Sequence, residues 1–281
     1  MPKKLDKSAW RETYQSCVLE IRQFMTEELQ SAISRHHAAW APGRFDFGAY
    51  LAQSTLRYEQ AIDLMDLQVD RPKELLDVGG LWGAFPLSLV RCGCDASMTE
   101  AMVYYDGRFD PLFTFLRGQG VEIVDFDPFD AATPIVDAAY RNVSLLAVLE
   151  HYPHSLRTCF GNLEPLVAPS GSLCIEVPNI AYWHKRLQLL RGVSPLPDIE
   201  DILDSEVPFT GHHHEFTANE LDRLFDLMGW RVTAKTFYNY SMAHSRNPMW
   251  NIASWIAGVI SQQSREVMMY RAVRDRSHDH S

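Results

Sequence analysis

The residues from Lys73 to Phe85 read KELLDVGGLWGAF, and this stretch decides the fold predicted for the chain. The run ELLDV is short, apolar and followed at once by glycine, as expected for a buried strand of a parallel sheet. Gly79, Gly80 and Gly83 then predict a tight turn that leads into a helix. In open parallel sheets ligands bind beyond the carboxyl ends of the strands, so this glycine turn is the default position for a functional site.

Strand and helix patterns alternate along the chain after this stretch. The strand patterns are ELLDVG, CDASMTE, VEIVD, NVSLLAV, SGSLCIEVP, RVTAKTFYNY and VMMYRAVRD. The helical patterns between them are GAFPLSLVRC, PLFTFLRG, SLRTCFGNLEPLV, NIAYWHKRLQLLRG and TANELDRLFDLMGW. Alternation of this kind predicts an α/β fold, with a Rossmann-like, doubly wound and mostly parallel sheet that carries helices on both faces.

The segment that precedes the first strand has a helical pattern. Apolar residues recur every three or four positions from Trp10 to Ile33, which predicts one long helix over about 6–38. A break at Pro42 and Gly43 separates it from a second helical pattern, YLAQSTLRYEQAIDLM. We therefore expect an N-terminal helical cap over residues 1–70 and a Rossmann-like domain over residues 71–281.

Two segments of the second domain interrupt the alternation. Residues 192–215 form a long connection rich in proline and acidic residues, which is more typical of a lid or substrate loop than of a linker. Thr217 stands three residues before Glu220, the spacing of a capping box, so a helix is expected to begin directly after this lid. Residues 246–262 carry a helical pattern between the last two strand patterns and predict a helical insertion.

Composition and charge exclude some classes of protein. The net charge is −10, with 26 basic and 36 acidic residues, whereas a protein that binds nucleic acid without sequence preference needs a basic face. The five cysteines have no framework spacing, which favours reduced thiols in a cytoplasmic protein. No signal peptide is visible, and the apolar segment NIASWIAGVI is too short to cross a bilayer, so no stable membrane insertion is expected. Assembly into a homo-oligomer stays open.

The chemistry of the glycine turn argues against a dinucleotide. A dinucleotide loop needs small residues where its backbone meets the pyrophosphate, but Leu81 stands at the position of the second glycine. Leu81 and Trp82 would obstruct a pyrophosphate, and Asp77 at the end of the strand would repel it. A cofactor that is cationic and free of phosphate, such as S-adenosylmethionine, meets neither objection.

Acidic residues also end the next two predicted strands. Glu100 ends the second strand, where its carboxylate can accept hydrogen bonds from both ribose hydroxyls. Asp125 ends the third, where it can bind the adenine amino group while Phe126 packs against the ring. Any one of these acids could instead be a solvated turn residue or a helix cap, and the glycines could serve only a tight turn with close helix packing. The presence of an acid at the end of each of three successive predicted strands favours a cofactor site over these alternatives.

These residues together resemble class I S-adenosylmethionine-dependent methyltransferases, in particular the small-molecule branch. ELLDVGGLWGAF is similar to their first motif, TEAM to the acidic end of the second strand, VDFDPFD to the adenine loop and VLEHYPH to the fourth-strand motif. SGSLCIEVPN and GHHHEFTANELDRLFDLMGW resemble later motifs of the same branch. The resemblance spans about Tyr58 to Tyr240. Leu81 departs from the first motif, and the fourth strand lacks the acid often found at its start.

The resemblance implies a set of cofactor-binding residues. Asp77 and the glycines would hold the methionine end, Glu100 the ribose, and Asp125 with Phe126 the adenine, while residues just before the first strand would contact the cofactor carboxylate. The full set is Arg57, Tyr58, Asp77, Gly79, Gly80, Gly83, Glu100, Ala101, Asp125, Phe126, Ala147 and Leu149.

Methyl transfer to a hydroxyl also needs a group that removes its proton, and histidine suits that task at neutral pH. His151 directly follows the fourth strand, His154 comes three residues later, and His212 begins the matched His-x-x-x-Phe-Thr motif, so these three are the candidate catalytic residues. His151 could equally orient its loop by a hydrogen bond, and His212 could brace the lid. Because consecutive histidines point in different directions, the triplet His212 to His214 predicts no required metal.

The expected function is O-methylation of a small molecule, sugar or glycan, favoured over N-methylation, with S-adenosylhomocysteine as the product. One alternative is a methyltransferase-like binding protein without catalytic activity. A second, less favoured alternative is an oxidoreductase with a nucleotide cofactor. The acidic strand ends favour a working cofactor site and do not by themselves establish turnover.

Overall fold

The computed structural model describes residues 3–130, 139–152, 155–240 and 248–275. Within these residues the strands are β1 (Lys3–Lys4), β2 (Gln68–Val69), β3 (Leu75–Val78), β4 (Ala96–Glu100), β5 (Glu122–Asp125), β6 (Tyr140–Leu146), β7 (Val167–Pro178), β8 (Trp230–Tyr238) and β9 (Val267–Arg274). The helices are α1 (Lys7–Ile21), α2 (Glu27–Ser34), α3 (Phe47–Gln53), α4 (Thr55–Met65), α5 (Ala84–Arg91), α6 (Asp110–Gly118), α7 (Leu156–Leu163), α8 (Trp183–Leu190), α9 (Ile199–Asp204), α10 (Ala218–Leu227) and α11 (Pro248–Ile260).

The central sheet confirms the predicted α/β fold. Its strand order is β5-β4-β3-β6-β7-β9-β8, with parallel pairing from β5 to β7 and antiparallel pairing of β9 with both neighbours. The chain runs outward from β3 through β4 to β5 and then returns to the other side of β3 as β6. This reversal leaves a crevice beyond the carboxyl ends of β3 and β6, the topological switch point at which open α/β sheets bind ligands.

Two hydrophobic clusters cover the two faces of the sheet. Leu75 belongs to the cluster that contains buried residues of α1, α5 and α6. Leu76 and Val78 belong to the other, which contains buried residues of α7 and α10. Because neighbouring side chains of a strand point to opposite faces, this short strand contributes to both clusters.

The N-terminal helices pack directly on the first crossover helix. The indole nitrogen of Trp10 donates a hydrogen bond of 2.9 Å to the hydroxyl of Ser88 on α5. The ring of Tyr58 on α4 stacks on Phe85 with centroids 4.4 Å apart and planes at 11°. The N-terminal segment therefore holds the helix that follows the glycine turn in place.

The single long helix expected over about 6–38 is wrong. α1 ends at Ile21, a 3-10 turn spans Arg22–Phe24, and α2 begins at Glu27. The hydroxyl of Thr26 accepts a hydrogen bond of 3.2 Å from the backbone nitrogen of Leu29. An N-cap of this kind starts a new helix even where the apolar period continues. The second helical pattern is divided in the same way at Ser54, between α3 and α4.

Residues 192–215, which we call the lid segment after the predicted role, contain structure of their own and contact turns of the N-terminal segment. The lid segment includes the short helix α9, and the carboxylate of Asp201 lies 2.8 Å from the guanidinium of Arg44. The backbone nitrogen of Thr210 donates to the carbonyl of His36 at 2.8 Å. The capping box at Thr217 and Glu220 is present as predicted.

α11 (Pro248–Ile260) lies within the span predicted for a helical insertion, and residues 246–247 of that span lie outside the described residues. Among the described residues, none of the helices combines the length and apolar character needed to cross a membrane.

Candidate active site

A cavity of about 690 Å³ opens beyond the carboxyl ends of β3 and β6. The sheet contributes Asp77, Gly79 and Ala147 to its wall, and the lid contributes His212. The N-terminal segment supplies aromatic and polar residues from the opposite side, namely His37, Trp40, Phe45, Phe47, Tyr50, Arg57 and Tyr58. The volume is typical of a pocket for small molecules.

The glycine turn is held in shape by its neighbours. Gly79 has a φ of 72°, and a Cβ there would lie 2.9 Å from a methyl carbon of Val148, so only glycine fits. Leu81 adopts a left-handed φ of 47°, and its backbone nitrogen donates to the carboxylate of Glu100. The indole of Trp82 is buried against Phe47, with centroids 5.2 Å apart. The bulky residues thus fix the turn to the core.

Asp77 is a buried acid on the cavity wall. One carboxylate oxygen accepts a hydrogen bond of 2.7 Å from the hydroxyl of Ser144. Burial raises the pKa of Asp77 to about 7, although the Ser144 hydrogen bond and the charge of Arg57 act in the opposite direction. A cation bound in the cavity would favour the ionised form of this carboxylate.

Arg57 is a buried cation that lines the cavity. Its Nε lies 3.0 Å from a carboxylate oxygen of Glu176, and both side chains are almost fully buried. Its guanidinium also donates to the hydroxyl of Tyr50 at 2.6 Å and lies 4.8 Å from the ring centroid of Tyr240. Glu176 therefore already balances the charge that was expected to meet a cofactor carboxylate.

Half of the predicted cofactor residues lie outside this cavity. Those inside are Arg57, Tyr58, Asp77, Gly79, Gly80 and Ala147, whereas Gly83, Glu100, Ala101, Asp125, Phe126 and Leu149 do not line it. Glu100 accepts hydrogen bonds from Leu81 and, at 2.6 Å, from the hydroxyl of Tyr105. Burial raises the pKa of Glu100 to about 7. Asp125 is exposed and accepts from the backbone nitrogen of Met102 at 3.1 Å.

Three of these six residues take part in packing. Phe126 is only 2% exposed and lies within the second hydrophobic cluster, and the stacking of its ring on adenine stays a prediction. Leu149 is buried in the same cluster. A Cβ at Gly83 would lie 2.5 Å from a methyl carbon of Leu116, so this glycine allows α5 to pack against α6.

His151 lies at the end of the 3-10 turn Leu149–His151, beside the cavity. Its Nδ1 is 2.6 Å from the carbonyl oxygen of Thr210 in the lid. A carbonyl can only accept, so Nδ1 carries the proton and Nε2 keeps a lone pair. Burial lowers the pKa of His151 to about 3, and nearby His212 adds to this shift. The ring is neutral at physiological pH and is a weak base.

His212 meets His151 across the lid, with ring centroids 4.9 Å apart. Its Nδ1 donates to a carboxylate oxygen of Glu215 at 3.0 Å, and Glu215 also pairs with Lys185. Burial alone would lower the pKa of His212, but the hydrogen bond to Glu215 and the charge of Glu150 raise it overall. His154, the remaining candidate, lies outside the described residues.

Glu150 is a buried residue of the cavity wall that the sequence did not single out. It is 1% exposed, lines the cavity and has a carboxylate oxygen 4.0 Å from Nε2 of His212. Burial raises the pKa of Glu150 to about 7. Its position in the sequence, between an apolar strand and a histidine, could have suggested a buried acid. Because charged residues are rarely buried without a partner, such an acid is a candidate site residue. The partnership of Arg57 with Glu176 had no comparable signal.

A sequence profile described as “Methyltransferase domain” matches residues 50–235 of the chain. No curated protein matches the chain in sequence.

Solved structures with a similar fold come from several organisms. A SAM dependent methyltransferase from Archaeoglobus fulgidus is 14% identical with a TM-score of 0.51, and the match covers 79% of this chain and 93% of that one. The PH0226 protein from Pyrococcus horikoshii OT3 is 13% identical with a TM-score of 0.52, over 80% and 91% of the two chains. An O-methyltransferase family protein from Burkholderia thailandensis is 14% identical with a TM-score of 0.51, over 82% and 60%. At these identities the likeness is one of fold.

Proposed function

The chain belongs to the methyltransferase domain family and is an S-adenosylmethionine-dependent methyltransferase, and we propose that it methylates a hydroxyl group of a small molecule or sugar. The observation that carries the proposal is the composition of one cavity. Its sheet side presents Asp77 and the glycine turn, and its lid side presents Glu150, His151 and His212. A cationic donor and a protic acceptor can therefore meet between the two sides.

The residues of the sheet side fit the cofactor. S-adenosylmethionine supplies a methyl group on a positively charged sulfur and carries no phosphate. Asp77 offers a buried carboxylate to its ammonium group, and the missing side chain at Gly79 leaves the backbone open for close approach. Arg57 and Tyr58 are the proposed contacts of the cofactor carboxylate, because the contacts of Arg57 with Glu176 and Tyr50 use only part of its five N–H donors.

The adenosine contacts are proposed at the edge of the cavity. Glu100 already accepts two hydrogen bonds within the protein, but a carboxylate has about four acceptor positions, so ribose hydroxyls can still be bound. The exposed Asp125 and the adjoining Ala101 are the proposed contacts of the adenine. Phe126, Leu149 and Gly83 are left out of this set because they serve packing.

The lid side supports a hydroxyl acceptor. An amine attacks through a lone pair it already has, whereas a hydroxyl must lose a proton to become a good nucleophile. Glu150 and Nε2 of His151 offer acceptors for hydrogen bonds from such a group. Aromatic side chains such as Trp40 and Tyr182 give the same cavity apolar walls, against which the face of a sugar or an aromatic ring can pack.

The N-terminal segment, residues 1–70, is proposed to act as a cap over the acceptor. It supplies Trp40, Phe47 and Tyr50 to the cavity wall. It also holds the lid through the hydrogen bond between Thr210 and His36 and the ion pair between Arg44 and Asp201. Closure of this kind excludes water from the reacting groups.

Calorimetry with the full chain tests the cofactor and separates the alternatives. We expect micromolar binding of S-adenosylmethionine and S-adenosylhomocysteine and no binding of NAD(P)H. A mass-spectrometric assay with a panel of hydroxyl and amine acceptors then tests the reaction, with a gain of one methyl group on an oxygen as the expected result. Absence of binding by both sulfur compounds would overturn the cofactor assignment. Methylation of amines alone would overturn the hydroxyl proposal.

A further inference from the structure

Three side chains meet on the lid side of the cavity in the geometry of a metal site. Glu150, His151 and His212 each offer one ligand atom, and these atoms all lie within 4.8 Å of one another. Bonds from zinc to nitrogen or carboxylate oxygen are about 2.0–2.2 Å, so two ligand atoms on one ion are at most about 4 Å apart. The three ligand atoms would have to move closer together by on the order of 1 Å to share one ion.

Both histidines are oriented as metal-binding histidines usually are. Nδ1 of His151 donates to the carbonyl of Thr210, and Nδ1 of His212 donates to Glu215. Each hydrogen bond fixes the tautomer in which Nε2 has a free lone pair. A carbonyl or carboxylate partner on the second nitrogen is the usual support of a metal-bound histidine, because it sets the ring orientation and raises its basicity.

Glu150 adds a negative charge that the protein leaves incompletely partnered. Its side chain is 1% exposed, and Oε2 has no hydrogen-bond partner among the described residues. The other oxygen lies 4.0 Å from Nε2 of His212, beyond hydrogen-bond distance. A buried carboxylate without a full set of partners is costly, and coordination of a cation is one of the few ways to offset that cost.

We propose that Glu150, His151 and His212 bind a divalent transition-metal ion on the wall of the cavity. Two imidazoles and one carboxylate favour ions such as Zn²⁺, Co²⁺, Mn²⁺ or Fe²⁺ over Mg²⁺ and Ca²⁺, which prefer oxygen ligands alone. Three protein ligands leave at least one coordination position open toward the cavity. The proposal differs from the expectation of no required metal, because the sequence did not place Glu150 and His151 beside His212.

The ion would also join two parts of the fold. Glu150 and His151 follow β6, whereas His212 belongs to the lid. The backbone nitrogen of His213 already donates to the carbonyl of Glu150 at 2.8 Å, so the two segments touch without a metal. The metal would strengthen this contact and hold the lid against the sheet.

The chemical role of the ion rests on the proposed transfer to a hydroxyl. An acceptor hydroxyl bound at the open position would lose its proton to a solvent water molecule before the cap closes, because the cation stabilises the resulting alkoxide. The alkoxide oxygen then forms a bond to the methyl carbon as the bond from that carbon to sulfur breaks. The electron pair of the broken bond stays on sulfur, which leaves as S-adenosylhomocysteine.

Metal binding is tested on the full chain without cofactor or acceptor. After removal of metal with a chelator, titration with ZnCl₂ followed by calorimetry should give one ion per chain. Co²⁺ should produce visible absorption typical of a coordination number below six. Glu150→Gln and His212→Gln should each weaken Zn²⁺ binding by at least about tenfold. His214→Gln is the matched control, because His214 is a neighbouring, exposed histidine outside the cluster, and it should bind Zn²⁺ as the parent does.

The outcomes separate this proposal from the proposed function. Loss of Zn²⁺ binding in the two cluster variants with normal circular dichroism supports the site, whether or not S-adenosylmethionine binds. No stoichiometric binding, or binding that Glu150→Gln and His212→Gln leave unchanged, overturns the site. Binding of S-adenosylmethionine by a chain that binds no Zn²⁺ would overturn the metal site alone. If a variant does not fold, His151→Gln with the same Zn²⁺ and Co²⁺ measurements replaces it.

Discussion

The two ends of the cavity bury carboxylates to a similar extent but treat them differently. At the cofactor end, Asp77 on the cavity wall and Glu100 beside the cavity are each 4% exposed, and Glu150 at the lid end is 1% exposed. The cofactor-end acids accept hydrogen bonds from protein donors, whereas Oε2 of Glu150 has no such partner among the described residues. The acids at the cofactor end therefore have hydrogen-bond donors within the protein, whereas Glu150 keeps one carboxylate oxygen for the proposed cation.

The strongest test of this difference is Glu150→Gln. The substitution keeps the size of the side chain and removes its charge. We expect kcat to fall at least about 100-fold, because stabilisation of charge at the reacting group is lost, while the Kd of S-adenosylmethionine changes less than about threefold. Steady-state kinetics and calorimetry measure the two quantities. A kcat within threefold of the parent would contradict the difference between the two ends.

Asp77→Asn tests the cofactor end in the same way. Asparagine can still accept from Ser144 but cannot balance the ammonium group of the cofactor. We expect the Kd of S-adenosylmethionine to rise about 10- to 100-fold, which corresponds to about 1.4–2.8 kcal/mol for a charged hydrogen bond. Calorimetry on the variant measures the change. Unchanged affinity would remove Asp77 from the methionine site.

The pH dependence of cofactor binding sharpens the role of Asp77. Its pKa in the free protein is about 7, so the carboxylate is mostly protonated at pH 6 and mostly ionised at pH 8. A cationic ligand binds the ionised form, so the affinity should rise by up to about tenfold as the pH increases from 6 to 7.5. Ser144, Arg57 and the nearby Glu100 are the groups that modulate this titration.

The matched control for the pH profile is again Asp77→Asn. It should lose most of the dependence and leave only the part due to Glu100, whose pKa is also about 7. Isothermal titrations at four or five pH values in one buffer system would resolve the two profiles. If the affinity of parent and variant for S-adenosylmethionine changed with pH in the same way, the titrating group would not be Asp77.

Leu81→Gly should have the smallest effect. The substitution places glycine where a dinucleotide loop requires it. It also removes the strain of leucine in the left-handed region, roughly 1–2 kcal/mol. The stability gained by relief of strain is offset by greater chain entropy in the unfolded state, about 0.5–1 kcal/mol, and by the lost packing of the leucine side chain. We expect less than a threefold change in the Kd of S-adenosylmethionine and no binding of NAD⁺. Measurable NAD⁺ binding would make Leu81 a determinant of cofactor choice.

Local patterns were sufficient for most of the fold. The alternation of strands and helices, the glycine turn and the capping box at Thr217 all depend on residues close together in sequence. The N-terminal helix was predicted too long because the apolar period continues past Thr26, although the side chain of Thr26 caps the start of a new helix. The burial of Phe126 in the second hydrophobic cluster was not predicted, because the adenine-loop pattern does not encode the direction of its ring.

The sequence by itself determined the parallel sheet, the turn after β3 and the acidic strand ends, because each follows from spacing and side-chain chemistry over a few residues. The tertiary structure alone decided which acids reach the cavity and which remain at its edge. It also brought His212 to Glu150 and His151, through a lid that folds back onto the N-terminal helices by hydrogen bonds such as that from Thr210 to His36. Contacts between segments so far apart in the chain depend on packing of the whole molecule, which no local pattern contains.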